Sequence, residues 1–435
     1  MESAFLLAPC CASGLAARRK QMRERLIDRW LNREFVIGGI RYRVVDAAFS
    51  LCLFVLAFLI RWRLMPIESA DYFGFLEDWM RSIRQNGGFR SLSMSISNYT
   101  PPYMYIMTLL SYGKGSDLYA LKLVSVLFDY LACGAVFLIL YHMTASMRKS
   151  ILGMAGVLLS PTVIIDGAYW CQCDIIYTTF LLYSFYFFLK KDSAKSAVFF
   201  GLSFMFKLQS LFLLPFFLMM WMKKRTILLR HYLYVPVIYF VSILPCWLLG
   251  RDLKELLRIY IDQSGYYPWG TLNYPNVYTL LGEAMPDLRH ADQVSGAGTA
   301  MTILLLGCIA YYLYTSRVRL TDEICVSLAL FTVALIVYTL PHMHDRYGFL
   351  IDLFAIIYGV YNVRRLPICC GFMLVSVLTF MPYLIAVDIV PQQYIAIGLL
   401  GLILFVGYDL YGQIQRNLTA PGSSPLTSAD EAPTA

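Results

Sequence analysis

Apolar residues in this chain come in long unbroken runs, not in the alternation of a half-buried strand or the narrow stripe of a surface helix. The runs fall at about 44–61, 100–113, 117–143, 151–168, 173–190, 196–222, 226–249, 298–315, 322–340, 347–363, 367–387 and 393–411. A helix crosses a bilayer with about 20 apolar residues. Because lipid offers no partner to open backbone groups, a spanning segment must satisfy its own, as a helix does. Barrel strands would alternate over segments of about ten residues, which continuous runs such as 196–222 and 367–387 do not. The pattern predicts an all-α polytopic membrane protein, with about ten to twelve transmembrane or half-membrane helices in the bundle.

Two polar stretches interrupt the spans: 62–99, rich in acids, arginines and aromatics, and 250–297, with tyrosines, glycines and prolines. The predicted division is a basic cytoplasmic N-terminus at 1–43, a transmembrane domain at 44–411 and a disordered cytoplasmic tail at 412–435. Nine Lys or Arg lie between Arg18 and Arg43. Further basic clusters at Arg148-Lys149, Lys190-Lys191, Lys223-Lys224-Arg225, Arg317/Arg319 and Arg364-Arg365 belong on the cytoplasmic side by the positive-inside rule. Twelve simple crossings do not satisfy all of them. They are satisfied if 100–113 dips back without spanning and 196–222 bends near Lys207. That arrangement gathers 62–99, the turn at 168–173, 250–297 and 341–346 on the outer face.

Composition agrees with the pattern. Of 435 residues 59% are hydrophobic and 15% charged, and the mean hydropathy is +0.60; soluble domains carry about a quarter charged residues. The net charge of +8 is spent on orientation, so no nucleic-acid partner is expected. Most of the eleven cysteines sit inside apolar runs and pack as small hydrophobes. Cys171 and Cys173 have neither a redox nor a zinc-ribbon spacing. In the first 16 residues the positive charges follow the apolar stretch, so a loose N-terminus is expected there, not a signal peptide.

Candidate chemistry concentrates around the polar stretches. Asp71 and Asp78, among Tyr72, Phe73 and Trp79, fall near one face of a predicted helix, with Arg81 and Arg84 a turn further on. A carboxylate flanked by aromatics suits a general base, while the plainer reading is an amphipathic helix lying on the headgroups. Tyr99-Thr100-Pro101-Pro102 opens a short helix, since prolines are tolerated at helix starts. Asp129 lies mid-span, Asp166, Tyr169, Trp170, Gln172 and Asp174 crowd one turn, and Lys207 and Gln209 interrupt another run. His342, His344, Asp345 and Arg346 head a further span, and Tyr274 lies in the 250–297 stretch. Ionisable residues inside membranes are expensive and mark function; the structural alternative is interhelical pairing, such as Asp129 with Lys207.

Asp71, then Asn98-Tyr99-Thr100-Pro101-Pro102, Tyr169-Trp170-Cys171-Gln172-Cys173-Asp174, Lys207-Leu208-Gln209 and His344-Asp345-Arg346-Tyr347 stand in an order that resembles the GT-C glycosyltransferases. The resemblance spans roughly 65–350 and is strongest to bacterial relatives of the GPI-anchor mannosyltransferases. Two departures stand out: family members usually show Trp-Gly-Gln where Cys171 stands, and His-Glu-Arg or His-Glu-Lys where Asp345 stands. The resemblance implies a GT-C-like bundle with a large first extracytoplasmic loop, in a bacterial cell membrane. It implies transfer of a hexose, mannose or glucose, from a polyprenyl-phosphate donor to a hydroxyl of a lipid-linked glycan or other acceptor on the outer face, with inversion. Asp71 would be the catalytic base, and His344, Arg346 and Lys207 would hold the donor phosphate. Asp78, Tyr99, Trp170, Gln172, Asp174, Gln209, Tyr274, His342 and Asp345 would line the substrate. No cofactor is required on this reading, though a divalent metal fits the carboxylates and histidines. The absence of a Gly-rich phosphate loop speaks against a nucleotide-sugar donor.

Three other readings compete. A transporter or lipid-linked sugar flippase would use the buried charges as a pathway and predicts internal repeats, which are not visible. A polysaccharide polymerase or ligase would concentrate arginines in a late loop, whereas 250–297 holds only Arg251, Arg258 and Arg289. A structural assembly factor would leave the buried charges without a reason.

Overall fold

The computed structural model describes residues 27–224, 227–264, 269–284 and 291–418. The chain divides into two compact units, Met1–Leu59 and Ile60–Ala435. In the first, Glu34–Ile37 and Ile40–Arg43 pair antiparallel around Gly38-Gly39. Both glycines have positive φ, as a two-residue hairpin turn requires. This hairpin is a feature the charge-based reading of 1–43 did not anticipate, although Ile-Gly-Gly-Ile was a legible turn signal. Most of the tail expected to be disordered, from residue 419 onward, lies outside the described residues; before it the last helix continues to Arg416.

The protein is an all-α, multi-pass membrane protein. Among the described residues, seven helices are long and apolar enough to cross a bilayer: Val44–Leu64, Asp117–Thr144, Leu229–Leu248, Val294–Thr315, Asp322–Thr339, Val363–Ile385 and Gln392–Arg416. An eighth span is broken, Met147–Leu158 and Pro161–Tyr169 meeting at 45°. Pro161 explains the break, since it has no N–H to continue the first helix and opens the second at its first turn.

Several apolar runs become shorter helices. Run 196–222 breaks where a full span would have continued. Ser193–Phe204 ends, Lys207 is extended at φ −148° and ψ 140°, and a 3-10 turn, Leu208–Leu213, leads into Leu214–Lys224. Run 100–113 yields Pro101–Ser111, with both prolines in the first turn and Thr100 extended before them. Run 347–363 yields Phe349–Tyr361, in which every residue from Phe349 to Val360 is buried. Inside protein a helix need not match the bilayer thickness, because neighbouring helices supply the apolar surroundings.

Strand in the larger unit is limited, among the described residues, to short pairings. Thr271–Leu272 runs parallel to Met343–His344, and an isolated bridge joins Asn273 to His344. These tie the 250–297 stretch to the 341–346 segment.

Candidate functional site

The Asp117–Thr144 helix organises the site through three residues on one face. Lys122, fully buried, donates from Nζ to the carbonyls of Leu64 (3.2 Å), Met65 (3.3 Å) and Ile67 (2.5 Å). It therefore ties the last carbonyl of the Val44–Leu64 helix, and two in the turn just beyond it, to the Asp117–Thr144 helix. One turn on, Ser125 Oγ donates to Gln172 O at 2.7 Å. One further turn on, Asp129 accepts from Arg61 Nε at 2.7 Å, both side chains wholly buried. Arg61 Nη1 also donates to Leu158 O at 2.8 Å, satisfying a carbonyl freed where the broken span interrupts. Asp129 thus pairs with Arg61 and not with Lys207, because Arg61 closes the adjoining helix ends.

Two π-helical turns carry the segments held in this way, Tyr72–Leu76 directly after Asp71 and Ile165–Tyr169 directly before Trp170. Such turns hold an extra residue and are frequent at functional sites. Ser69 Oγ donates to Trp170 O at 2.6 Å and joins the two. Beyond Trp170 the chain turns through Cys171 at φ +68°, the left-handed region that favours glycine.

Asp71 is where these pieces meet. Its Oδ2 accepts from Trp170 Nε1 at 2.9 Å, from Arg346 Nη1 at 2.9 Å and from Gln172 Nε2. Its Oδ1 accepts from the phenol of Tyr383. Trp170 stacks on Tyr383 with ring centroids 5.2 Å apart, and the Arg346 guanidinium lies 4.9 Å from the Trp170 ring centroid. Arg346 reaches a second carboxylate too, its Nε standing 3.7 Å from Asp174 Oδ2. Asp174 Oδ1 accepts from Lys207 Nζ at 2.7 Å. The result is a continuous chain of alternating charge, Asp71, Arg346, Asp174 and Lys207. Burial opposes the Arg346 charge, but Asp174 foremost, with Asp345 and Asp71, outweighs it and raises its pKa well above the ordinary arginine value.

Tyr99 closes the far side. Lys207 Nζ sits 5.7 Å from its ring centroid, its phenol donates to Gln172 Oε1 at 3.3 Å, and Trp79 and Tyr103 pack on it at 5.3 Å. Thr100 Oγ1 donates to Phe206 O at 3.0 Å, fastening the start of the Pro101–Ser111 helix to the break beside Lys207.

Among the described residues, none of the other sequence-predicted residues hydrogen-bonds to Asp71. His344 is mostly buried and packs on Tyr347 with centroids 5.3 Å apart. Burial, then Arg346 and Lys207, lower its pKa to about 3, so it is neutral near pH 7. It is therefore a hydrogen-bonding imidazole and not the cation that phosphate binding invites. Burial raises Asp345 to about 6. Gln209 lies in the 3-10 turn Leu208–Leu213 that directly follows Lys207. His342 takes a left-handed φ of +63°; its N–H donates to Gly270 O at 2.9 Å and its Nε2 pairs with Ser295 Oγ at 2.7 Å. Tyr274 is buried against Gly348, where an added Cβ would lie 3.0 Å from the phenol oxygen. Asp78 stands outside the cluster. It is exposed and pairs with Arg81 at 2.9 Å, because the intervening π turn removes the shared face that seven α-helical residues would give it with Asp71.

Tyr383, Arg61, Lys122, Ser69 and Ser125 are site residues that sequence reasoning missed. Tyr383 lies in an apolar run with no local signal beyond the neighbouring Pro382. Arg61 was legible only as the partner that a mid-span Asp129 demands. Among the described residues no group of three or more His, Cys, Asp or Glu is placed to hold a metal ion. No protein-family model and no curated protein matches the chain.

Proposed function

We propose that the protein is a membrane glycosyltransferase of GT-C type that moves a hexose, mannose or glucose, from a polyprenyl-phosphate donor to an acceptor hydroxyl at the outer face of a bacterial cell membrane. The observation that carries the reading is the contact of Asp71 with Arg346 at 2.9 Å. It sets a carboxylate able to accept a proton beside a guanidinium able to pair a phosphate, in a half-buried site among aromatics. In the reaction Asp71 takes the proton of the acceptor hydroxyl, whose oxygen forms the new bond to the anomeric carbon from the side opposite the phosphate. The bond from that carbon to the phosphate oxygen breaks, and polyprenyl phosphate leaves with the electron pair. Arg346 and Lys207 meet its charge. A single displacement needs one carboxylate and inverts the centre.

The left-handed φ of +68° at Cys171 also supports this reading. This is the position where the family usually places glycine, and an L residue there adopts the backbone that glycine would. Tyr99 and Trp79, both partly exposed, offer aromatic faces and edges of the kind that sugar rings pack against. The test is incubation of purified protein with radiolabelled polyprenyl-phosphate mannose, glucose and galactose. The expected result is release or transfer of one hexose by the native protein. Turnover of none, with counterflow of lipid-linked sugar in proteoliposomes instead, would establish the transport reading.

One observation favours that second reading. Asp166 is fully buried, and neither of its carboxyl oxygens has a hydrogen-bond partner among the described residues. Buried ionisable groups of this kind mark ion pathways in transporters.

A further inference from the structure

The cations that would bind a donor phosphate are already engaged. Arg346 is shared between Asp71 and Asp174, and Lys207 is on Asp174. A phosphate entering the site competes for Arg346 with the carboxylate that is to act as base. The four donors on Asp71 differ in kind. Trp170, Gln172 and Tyr383 are neutral, while Arg346 is its one ion-pair partner among the described residues. Oδ2 carries three of these bonds and Oδ1 only that of Tyr383, so Arg346 helps to crowd the oxygen that also receives Trp170 and Gln172.

We infer that Arg346 is exchanged between Asp71 and the donor phosphate, so that the donor, by taking the guanidinium, uncovers the base for the acceptor hydroxyl. The inference rests on the glycosyl-transfer reading and adds an order to it: donor first, acceptor second. Three features of the site suit the exchange. The neutral donors hold the carboxylate in place when the guanidinium leaves, so the base stays aimed. The guanidinium rests on the Trp170 ring, which gives it a surface to pivot on without losing its aromatic contact. Its Nε stays close to Asp174, so the side chain remains anchored while its outer nitrogens change partner. Before the exchange the paired carboxylate is covered, which disfavours proton abstraction when no donor is bound.

The exchange makes a counter-intuitive prediction. Removing the charge of the base should tighten the grip on lipid phosphate, because Arg346 then has no competitor on that side. Polyprenyl phosphate, the leaving product, serves as the probe, and its dissociation constant is measured for detergent-purified native protein, Asp71→Asn, Arg346→Ala and the double variant. The expected result is binding about tenfold tighter in Asp71→Asn, the scale of coupling between close, largely buried charges. The gain must vanish in the Arg346→Ala background, since the competition it relieves is for that residue. A gain that persists without Arg346 would reflect simple removal of a negative charge, and it overturns the exchange, as does no gain at all. If saturable binding is absent from every variant including the native protein, the phosphate-donor reading itself fails, and the exchange with it. Should Asp71→Asn not purify folded, Asp71→Ala, measured with and without Arg346→Ala, tests the same competition and is expected to shift the same way.

Discussion

Arg61 and Asp129 form a wholly buried ion pair, Nε to Oδ2 at 2.7 Å, linking the end of one membrane helix to the middle of another. The pair holds the Val44–Leu64 helix and, through the Leu158 carbonyl, the break in the next span. The segment carrying Asp71 leaves the first of these helices, and the one carrying Trp170 follows the second. The pair therefore acts on the site at a distance, through backbone.

Breaking one partner leaves the other as an uncompensated buried charge. Arg61→Met and Asp129→Leu should each destabilise the protein by about 3–5 kcal/mol, while the double variant recovers most of the loss. Thermal unfolding in detergent of the four proteins checks this. Additive losses in the double variant would show that the two side chains act independently.

Asp71→Asn keeps size and most of the hydrogen-bond geometry but removes the charge. Hexose transfer should fall by at least about a hundredfold, as for a lost general base, while binding of the lipid phosphate persists. Transfer near the native rate would take Asp71 out of the mechanism.

The turn at Cys171 makes a backbone prediction. At φ +68° a β-branched side chain clashes with its own backbone, whereas glycine is at ease. Cys171→Gly should therefore fold and retain transfer, while Cys171→Val should lose both yield and activity. Equal behaviour of the two, measured as folded yield and initial rate, argues against a strained turn.

His344 gives a pH signature. Burial first, then Arg346 and Lys207, depress its pKa from the ordinary 6.5 to about 3. As pH falls from about 6.5 towards 3, the unfolded chain takes up a proton that the folded one refuses, so this residue subtracts stability across that window. Asp345, raised to about 6 by burial, works the other way, its cost appearing as pH rises from about 4 to 6. His344→Gln should flatten the acid-side fall in melting temperature between pH 6.5 and 4. A fall as steep as that of the native protein would mean that His344 titrates freely.

Sidedness is open to direct chemistry. Single cysteines near Ser93, Gly270 and Pro341, in a cysteine-depleted background, should react with an impermeant thiol reagent from outside, and ones near Lys149 and Lys223 should not. Labelling of Lys149 from outside would mean that 100–113 crosses the membrane.

Most helices, the short 100–113 segment and the bend near Lys207 were legible in the sequence, because these are local properties, whereas the break at Pro161 inside the 151–168 run was not anticipated. A run of apolar residues makes a helix wherever lipid or protein surrounds it. Pro101, Pro102 and Pro161 set helix starts by removing a backbone donor, and Lys207 marks a break because a cation does not rest within an unbroken apolar run. The residues of the Asp71 cluster were also largely legible as polar intrusions, Trp170, Gln172, Asp174, Lys207 and Arg346 among them. Their partners were not. Asp129 takes Arg61, 68 residues away, and not Lys207, Asp71 takes Arg346 and Tyr383, 275 and 312 residues away, and Asp78, seven residues from Asp71, stays outside. Periodicity carries no information across such separations, and it assumes an α-helical turn where the chain makes a π turn. Which carboxylate meets which cation is decided by how helix ends pack, and there the cost of leaving a buried charge unpaired selects the partner.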